Sequence, residues 1–373
     1  MNEFLKRYKI KIKTLSPIYI GSGRSLLKKE YVYDRKKKKI HVLNLEKMYA
    51  DMMKVGMAKE YEKFLLYSSE NLHRWFQLMK IDKNKYKNWI QYTLDCSETE
   101  IGGRTTAIEL FVKDKYGHPY IPGTSLKGAI RTALLGCELA DELNPERYRN
   151  MIREDRNGIG KKFYLERTMK KIEKDIFVYE EYQENKFGKK EKNPVFVNNK
   201  MSSIRVSDSK SLDVKDLTIC QKVDLKLRNQ ENRLNLLREC IKPGTEIEFD
   251  LTIDISNETY EVNEIMEAIN VFFDICQTQS EKFETSGVME EDVIYLGGGS
   301  GFLSKTVMYD VFEEKEAIKQ TSQILKSFFN QGKFNHHHEN DSKVGVSPRT
   351  KKCTYYAGKR YEFGLCNIQI QEI

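Results

Sequence analysis

Near its start the chain alternates apolar and polar residues, Tyr8-Lys-Ile-Lys-Ile-Lys-Thr-Leu15. A period of two puts every second side chain on one face of a pleat, so a half-buried strand is predicted here. The pattern breaks at Ser16-Pro17, resumes briefly and reaches Gly21-Ser22-Gly23-Arg24, which reads as a tight turn ending a strand. Tyr31-Val32-Tyr33 and Ile40-His41-Val42-Leu43 flank a basic tip, Arg35 to Lys39, which gives a hairpin. From about Asn44 to Leu94 the period lengthens. Leu45, Met48, Met52, Tyr61, Phe64 and Leu65 recur at helical spacing without a proline, so several helices are predicted.

Strand texture returns at Ala107 to Val112. A turn then leads to Ile121-Pro-Gly-Thr-Ser-Leu-Lys-Gly128, a helix entry with Thr124 or Ser125 as N-cap. Leu126, Ile130, Ala133 and Leu134 give that helix one apolar face. Pro145 to Lys192 is dominated by charge and reads as a solvated, partly mobile insertion. Strands are predicted at Ile204 to Asp208, Gln221 to Leu227 and Glu246 to Ile253, and a helix at Val262 to Cys276. A glycine-rich stretch, Gly297-Gly298-Gly299-Ser300-Gly301, precedes a last strand at Phe363 to Ile370. This order is an α+β pattern with an antiparallel sheet, which the split β-α-β arrangement of ferredoxin-like folds accommodates.

Composition narrows the class of partner. The 373 residues suffice for one elaborated domain or two ordinary ones, and 39% hydrophobic content supports a packed core. Tyr (21) and Phe (18) far outnumber Trp (2), beside 32% charged residues. Rings that stack on bases next to cations that hold phosphates suit nucleic-acid binding, and they suit a large core equally well. A net charge of +8 points to an anionic partner met by part of the surface. The stretch Met1 to Arg7 has no apolar run, so no secretory signal is expected, and no apolar segment approaches the ~20 residues of a membrane helix. The seven cysteines form no CxxC pair, so they read as reduced structural thiols in a cytoplasmic protein without a zinc site.

Three glycine-bearing segments are the candidates for chemistry. Gly21, Ser22, Gly23 and Arg24 offer amides, a hydroxyl and a cation. The helix entry offers free amides at the positive end of a helix dipole, which attract phosphate, with Lys127 and Arg131 four apart on one face. Gly297, Gly298, Gly299, Ser300 and Gly301 allow close backbone approach, with Lys305 and Thr306 behind them. That last stretch is no P-loop, because from Gly299 the required second glycine falls on Ser304.

These segments, in this order, resemble the RAMP superfamily of CRISPR-associated proteins. Its marks are an early strand ending in a glycine turn, an IPG[ST]S[LI]KGxxR helix entry and a late glycine-rich loop. Within it, Gly21-Ser-Gly followed by Lys29-Glu-Tyr-Val-Tyr-Asp34, and Leu296-Gly-Gly-Gly-Ser-Gly-Phe-Leu-Ser-Lys-Thr306, look like the subunit capping one end of the type III-A (Csm) effector complex. The resemblance implies an RRM-like core with large helical and charged insertions. The core would span 1–43 and 101–373 with a charged insertion near 145–200, and 44–100 would be a helical insertion. It also implies binding to the 3′ part of the CRISPR RNA, a role in maturing that RNA, neighbouring effector subunits and a recruited trimming nuclease. Carried over as RNA-binding are Gly21, Ser22, Gly23, Arg24, Lys127, Arg131, Gly297, Gly298, Gly299, Ser300, Gly301 and Lys305. No catalytic residue, metal or cofactor is carried over.

Two rival classes stay open. Some superfamily relatives cut repeat RNA without metal through a histidine, and His41, His73 and His118 are the candidates. A docking factor that holds only protein is the other. His336-His337-His338 with Glu339 and Asp341 reads as a mobile surface loop rather than a metal site, since three successive histidines converge poorly on one ion. Asp34 and Asp208 are left without a role.

Overall fold

Periodicity becomes architecture in a computed structural model that describes residues 4–101, 107–155, 164–179, 182–184, 189–192, 198–256, 258–283, 290–329 and 336–373. Strands β1 (Leu5–Thr14), β2 (Gly21–Leu26), β3 (Tyr31–Asp34) and β4 (Lys39–Leu43) precede helices α1 (Leu45–Lys54), α2 (Ala58–Tyr67), α3 (Leu72–Leu78) and α4 (Lys83–Tyr86). Strands β5 (Ile90–Asp95) and β6 (Ile108–Phe111) lead to α5 (Gly123–Ala140), α6 (Pro145–Glu154) and α7 (Glu166–Phe177). Then come β7 (Tyr182–Glu184), β8 (Lys190–Lys192), β9 (Ile204–Val206), β10 (Leu217–Lys226), β11 (Gln230–Ile241) and β12 (Glu246–Asp254). The remainder holds α8 (Val262–Ser280), β13 (Val293–Tyr295), α9 (Met308–Val311), α10 (Glu314–Phe329), α11 (Asp341–Val344), β14 (Thr350–Tyr356), β15 (Lys359–Glu362) and β16 (Leu365–Glu372).

The alternation in β1 decides the first sheet. Tyr8, Ile10, Ile12 and Thr14 face inward, while Lys9, Lys11 and Lys13 face out. Burying Ile10, Ile12, Phe249 and Ile368 contributes roughly 1.5–3 kcal/mol per side chain. The strand order is β13-β16-β1-β12-β9, with antiparallel neighbours throughout. Taking β1, β9, β12 and β16 as first to fourth gives order 4-1-3-2, with α5 between the first two and α8 between the last two. That is the ferredoxin-like, RRM-like core. The buried faces of α5 and α8 close one apolar cluster with the inward face of this sheet.

A second sheet has the order β15-β14-β10-β11-β6-β2. A third, β3-β4-β5, carries helices α1 to α4 on a separate apolar cluster built from Val32, Leu43, Met48, Trp75, Phe76 and Trp89. The two regions are pinned by Glu239 on β11, which is fully buried. It accepts from Tyr92 Oη (2.7 Å), the Phe111 amide (2.9 Å) and Lys113 Nζ (2.5 Å).

Several expectations need correction. The helical stretch expected to Leu94 ends earlier, because Ile90–Asp95 adds a third strand to the β3–β4 hairpin. The charged insertion is only partly solvated: α6 and α7 bury Tyr148, Ile152, Ile172 and Phe177. Residues 156–163, 180, 181, 185–188 and 193–197 of that stretch lie outside the described residues, as do 1–3 at the start. Gly21-Ser22-Gly23-Arg24 is no turn after a strand. It begins β2 as a bulge, since Gly21 pairs with Phe111 and Ser25 with Glu109, leaving two extra residues on β2.

Candidate functional site

The late glycine loop lies flat on the backbone that precedes the bulge. Gly298 N donates to Tyr19 O (2.6 Å), and a Cβ on Gly297 would meet that oxygen at 2.4 Å. Gly297 has φ +86° and Gly299 φ +90°, so glycine is needed here both for conformation and for clearance. The loop is closed from within, where Ser304 Oγ donates to Ser300 Oγ at 2.8 Å. Its end carries Lys305, exposed and without an ion pair among the described residues.

Arg238 of β11 supports the loop from beneath. Its guanidinium stacks 4.7 Å over the Tyr19 ring, and Nε donates to Glu109 Oε2 at 2.7 Å. Nη1 is buried without a hydrogen bond among the described residues. Burial pushes the Tyr19 hydroxyl up to about 12, so the ring under Arg238 stays neutral. Two residues on, the bulge turns Gly21 to Arg24 into solvent, with Ser22 Oγ donating to Leu110 O at 3.2 Å. Two of the three segments singled out in the sequence therefore share one surface.

The third is placed differently. Helix α5 starts at Gly123 with Pro122 as N-cap, so Thr124 and Ser125 fall within its first turn and neither caps it. The cap comes from a distant acid, because Gly123 N donates to Asp208 Oδ1 at 2.8 Å. A Cβ on Gly123 would lie 2.3 Å from the carbonyls of Val206 and Ser207, so this glycine lets the helix abut the end of β9. The anion at this dipole end is the chain's own carboxylate. Lys127 is half-buried and donates to Ile204 O at 2.6 Å, and burial holds its ammonium below the usual lysine value. Arg131 is exposed and faces Glu173 at 3.7 Å.

The open face of the RRM-like sheet offers no ring platform. Lys9, Lys11 and Lys13 of β1 stand opposite Asp250, Glu248 and Glu246 of β12, and Gln371, Gln369 and Asn367 of β16 lie on the other side. Charge is offset across the strands, and these described positions hold no aromatic residue for a base to stack on.

Rings and a surplus of cations meet instead in a cleft of about 1510 Å³ beside the glycine loop. Its floor is the outward side of β10 and β14, where Lys222, Asp224 and Lys226 alternate along β10. Asp224 lies opposite Lys352, which donates to it at 2.8 Å. Gly299, Gly301 and Phe302 form one wall, and Phe328 and Phe329 at the end of α10 form the other. Burial, followed by the charge of Lys352, holds Lys222 below its ordinary value.

The histidine run belongs to this cleft and is not a plain surface loop. His338 is buried, with Nδ1 2.9 Å from Asp341 Oδ2. Asp341, itself fully buried, also accepts from Ser347 Oγ (2.6 Å) and contacts Arg349 Nε (2.7 Å). Ser322 of α10 donates to His338 O at 2.6 Å, and Arg349 Nη2 donates to His336 O. This network sets three rings close together: Phe329 to His336 at 4.8 Å, His336 to His338 at 5.9 Å and Phe329 to His338 at 5.9 Å. Sequence reasoning missed Lys222, Arg238, Arg349 and Lys352. Only the His338–Asp341 spacing of three gave a local signal.

The other histidines sit apart from the cleft lining. His41 is buried with Nδ1 2.8 Å from Thr93 Oγ1, and burial lowers its pKa. His73 bonds Gln77 one turn away, and His118 is exposed, 3.6 Å from Asp114. Asp34 is held below the usual carboxylate range by the Lys83 ammonium at 2.8 Å, at the base of the exposed Arg35–Lys39 tip. Among the described residues no His, Cys, Asp and Glu group is arranged to hold a metal, and no helix is long and apolar enough to cross a membrane.

A two-layered α+β core with a glycine loop packed on the connection between β1 and β2 defines the class. The RAMP superfamily pattern fits residues 11–334, so the chain belongs to the RAMP superfamily. Within it, the chain is similar over its whole length to a CRISPR system Cms protein Csm5 of Mycobacterium tuberculosis (strain ATCC 25618 / H37Rv), at 27% identity over 100% of this chain and 99% of that one. The Csm5 protein of Streptococcus thermophilus is 29% identical over 86% of this chain and 84% of its own length. Two solved structures share the fold. A chain of a Csm–crRNA–target RNA ternary complex of a type III-A CRISPR-Cas system matches with TM-score 0.63 at 20% identity, covering 97% of this chain and 100% of that one. Csm5 of T. onnurineus matches with TM-score 0.59 at 19% identity, covering 96% and 99%.

Proposed function

We propose that this protein is a guide-RNA-binding subunit of a type III-A CRISPR effector complex. It caps the 3′ end of the CRISPR RNA, serves that RNA's maturation and antiviral defence, and does not itself cut RNA. The single observation that carries this reading is the glycine loop laid on the backbone before the exposed Gly21–Arg24 bulge, which joins close backbone approach, a hydroxyl and the cations of Arg24 and Lys305 on one surface. The relatives bearing the Csm5 name, and the likeness to a chain of a complex with crRNA and target RNA, supply the context.

Phosphates and sugars are held mostly without reading sequence. Gly21, Ser22, Gly23, Arg24, Gly297, Gly298, Gly299, Ser300, Gly301 and Lys305 form the contact surface. Lys127 and Arg131 lie on a separate one, where Arg131 is the more available cation. Partners are the neighbouring effector subunits along the guide and a trimming nuclease recruited from the cytoplasm. Residues 44–100 act as a helical insertion whose apolar cluster also takes in Val32 and Leu43, set into a core of 1–43 and 101–373 that also carries the charged insertion near 145–200.

The test incubates the purified chain with repeat RNA in EDTA at rising salt. Retained, uncut RNA whose binding weakens steeply with salt is the expected result. Specific cleavage that disappears in His118→Ala or His338→Ala would overturn the non-catalytic reading and favour a metal-independent endoribonuclease. Subunit binding that survives ribonuclease, with no RNA retained, would favour a protein-only docking factor.

A further inference from the structure

The cleft has features that binding a phosphate backbone alone does not explain. A groove for backbone alone needs cations, yet this one presents a ring cluster beside them. Phe328 and Phe329 are 41% and 45% exposed at the end of α10, where apolar rings would ordinarily turn inward. His336, also exposed, lies nearly parallel to Phe329, with 21° between the ring planes. The buried Asp341 holds His338, Ser347 and Arg349, and Arg349 in turn holds the His336 carbonyl. The His338 ring and the backbone that carries His336 are thus held before any ligand arrives, which reduces the ordering cost of stacking there.

Charge selects the ligand class. Of the cations lining the cleft, Arg238 and Arg349 are already paired with Glu109 and Asp341, which leaves Lys222, Lys226 and Lys352 against Asp224. The surplus is positive, on the same side as the rings. Volume points the same way: about 1510 Å³ exceeds the roughly 300–1,000 Å³ of pockets built for one small molecule, so a stretch of polymer fits better.

We propose that this cleft is a subsite for unpaired single-stranded RNA, whose bases stack on Phe329 and His336, with the buried His338 behind them, while its phosphates lie along Lys222, Lys226 and Lys352. The inference deepens the proposed function and rests on it. Readout is tolerant of sequence, because every base has a π-face. The open RRM-like sheet face, with its offset charges, is left free.

The experiment assembles the full-length chain into its effector complex with guide RNA carrying 4-thiouridine in its 3′ single-stranded portion. Near-ultraviolet light forms the crosslinks, and mass spectrometry maps the adducts. Adducts at Phe328, Phe329 or His336 are expected. Phe329→Ala with His336→Ala should weaken binding of a short single-stranded RNA about fivefold to 150-fold, the equivalent of ~1–3 kcal/mol of stacking per base. His336→Phe, which keeps a ring, should retain binding and shows that the exposed site tolerates substitution. Adducts confined to Gly21–Arg24 or Arg131, with none in the cleft, would overturn this inference and leave the proposed function standing. No adduct anywhere on the chain would overturn both. Lysine-directed crosslinks from Lys352 to an acidic segment of another subunit, without thiouridine adducts, would also overturn it by assigning the cleft to protein.

Discussion

Asp310 is a buried acid without a hydrogen-bonding partner among the described residues, and it makes stability depend on pH in an unusual direction. It lies on α9 against α5, so close that a Cβ on Gly136 would meet its Oδ1 at 2.4 Å. Both carboxyl oxygens are buried without a hydrogen bond. Burial therefore raises its pKa from 3.8 to about 7. The folded chain then binds this proton more tightly than the unfolded chain does. The resulting stability is fully present below the unfolded value of 3.8 and is lost as pH rises through about 7. A gap of about three pH units corresponds to roughly 4 kcal/mol at ~1.36 kcal/mol per unit, an upper bound once the site relaxes. Asp310→Asn keeps the shape and removes the charge. Part of its advantage should already be present at pH 5, where the unfolded acid is ionised, and it should grow by about 2–3 kcal/mol between pH 5 and pH 8.5. For 373 residues at ~2.1 cal/mol/K each, 3 kcal/mol raises Tm by about 4 °C. Melting the two proteins side by side from pH 5 to 8.5 isolates this group, because all other titrations are shared. Parallel profiles, or a variant less stable at pH 8.5, would refute the reasoning.

Other substitutions test other links. Gly123→Ala drives a methyl into two backbone carbonyls at 2.3 Å and should destabilise by ~1–3 kcal/mol or more, whereas Gly128→Ala on the same helix meets nothing within 4 Å and should stabilise by about 0.5–1 kcal/mol; thermal melts of the pair check this contrast. Glu239→Ala strands the ammonium of Lys113 and should cost about 3–5 kcal/mol in chemical denaturation, while a loss below 1 kcal/mol would mean the buried pair does not pin the sheets. Lys222→Gln with Lys352→Gln should flatten the log–log salt dependence of RNA binding by about 1.4, since each phosphate contact on a single strand contributes ~0.7; an unchanged slope would remove these lysines from the contact.

How much of this was legible in the sequence depends on how local each signal is. Strand β1 was readable because its alternation is a property of neighbouring residues, and helices α1 to α3 were readable for the same reason. Strand β11 was not: from Gln230 to Asn235 it lies outside the core, so polar residues occupy both faces and the period vanishes. Strand β5 was hidden because Trp89 and Ile90 continue the apolar texture of the helices before it. The meeting of Gly297 with Tyr19 gave no signal, since spacing alone does not bring residues so far apart together. The cleft was illegible for a stronger reason. Lys222 and Lys352 become neighbours only through the pairing of β10 with β14, and each alone resembles an ordinary surface lysine. The capping of α5 by Asp208 likewise replaces a local rule, Ser or Thr at the N-cap, with a contact across 85 residues.

The most direct test of the end-capping role is to purify the tagged effector complex from cells with and without this chain and size its RNA on a denaturing gel. Guide RNA should remain unshortened at its 3′ end when the chain is absent and return to mature length when the chain is restored. Identical RNA lengths and subunit content in both preparations would contradict a role in capping and maturation.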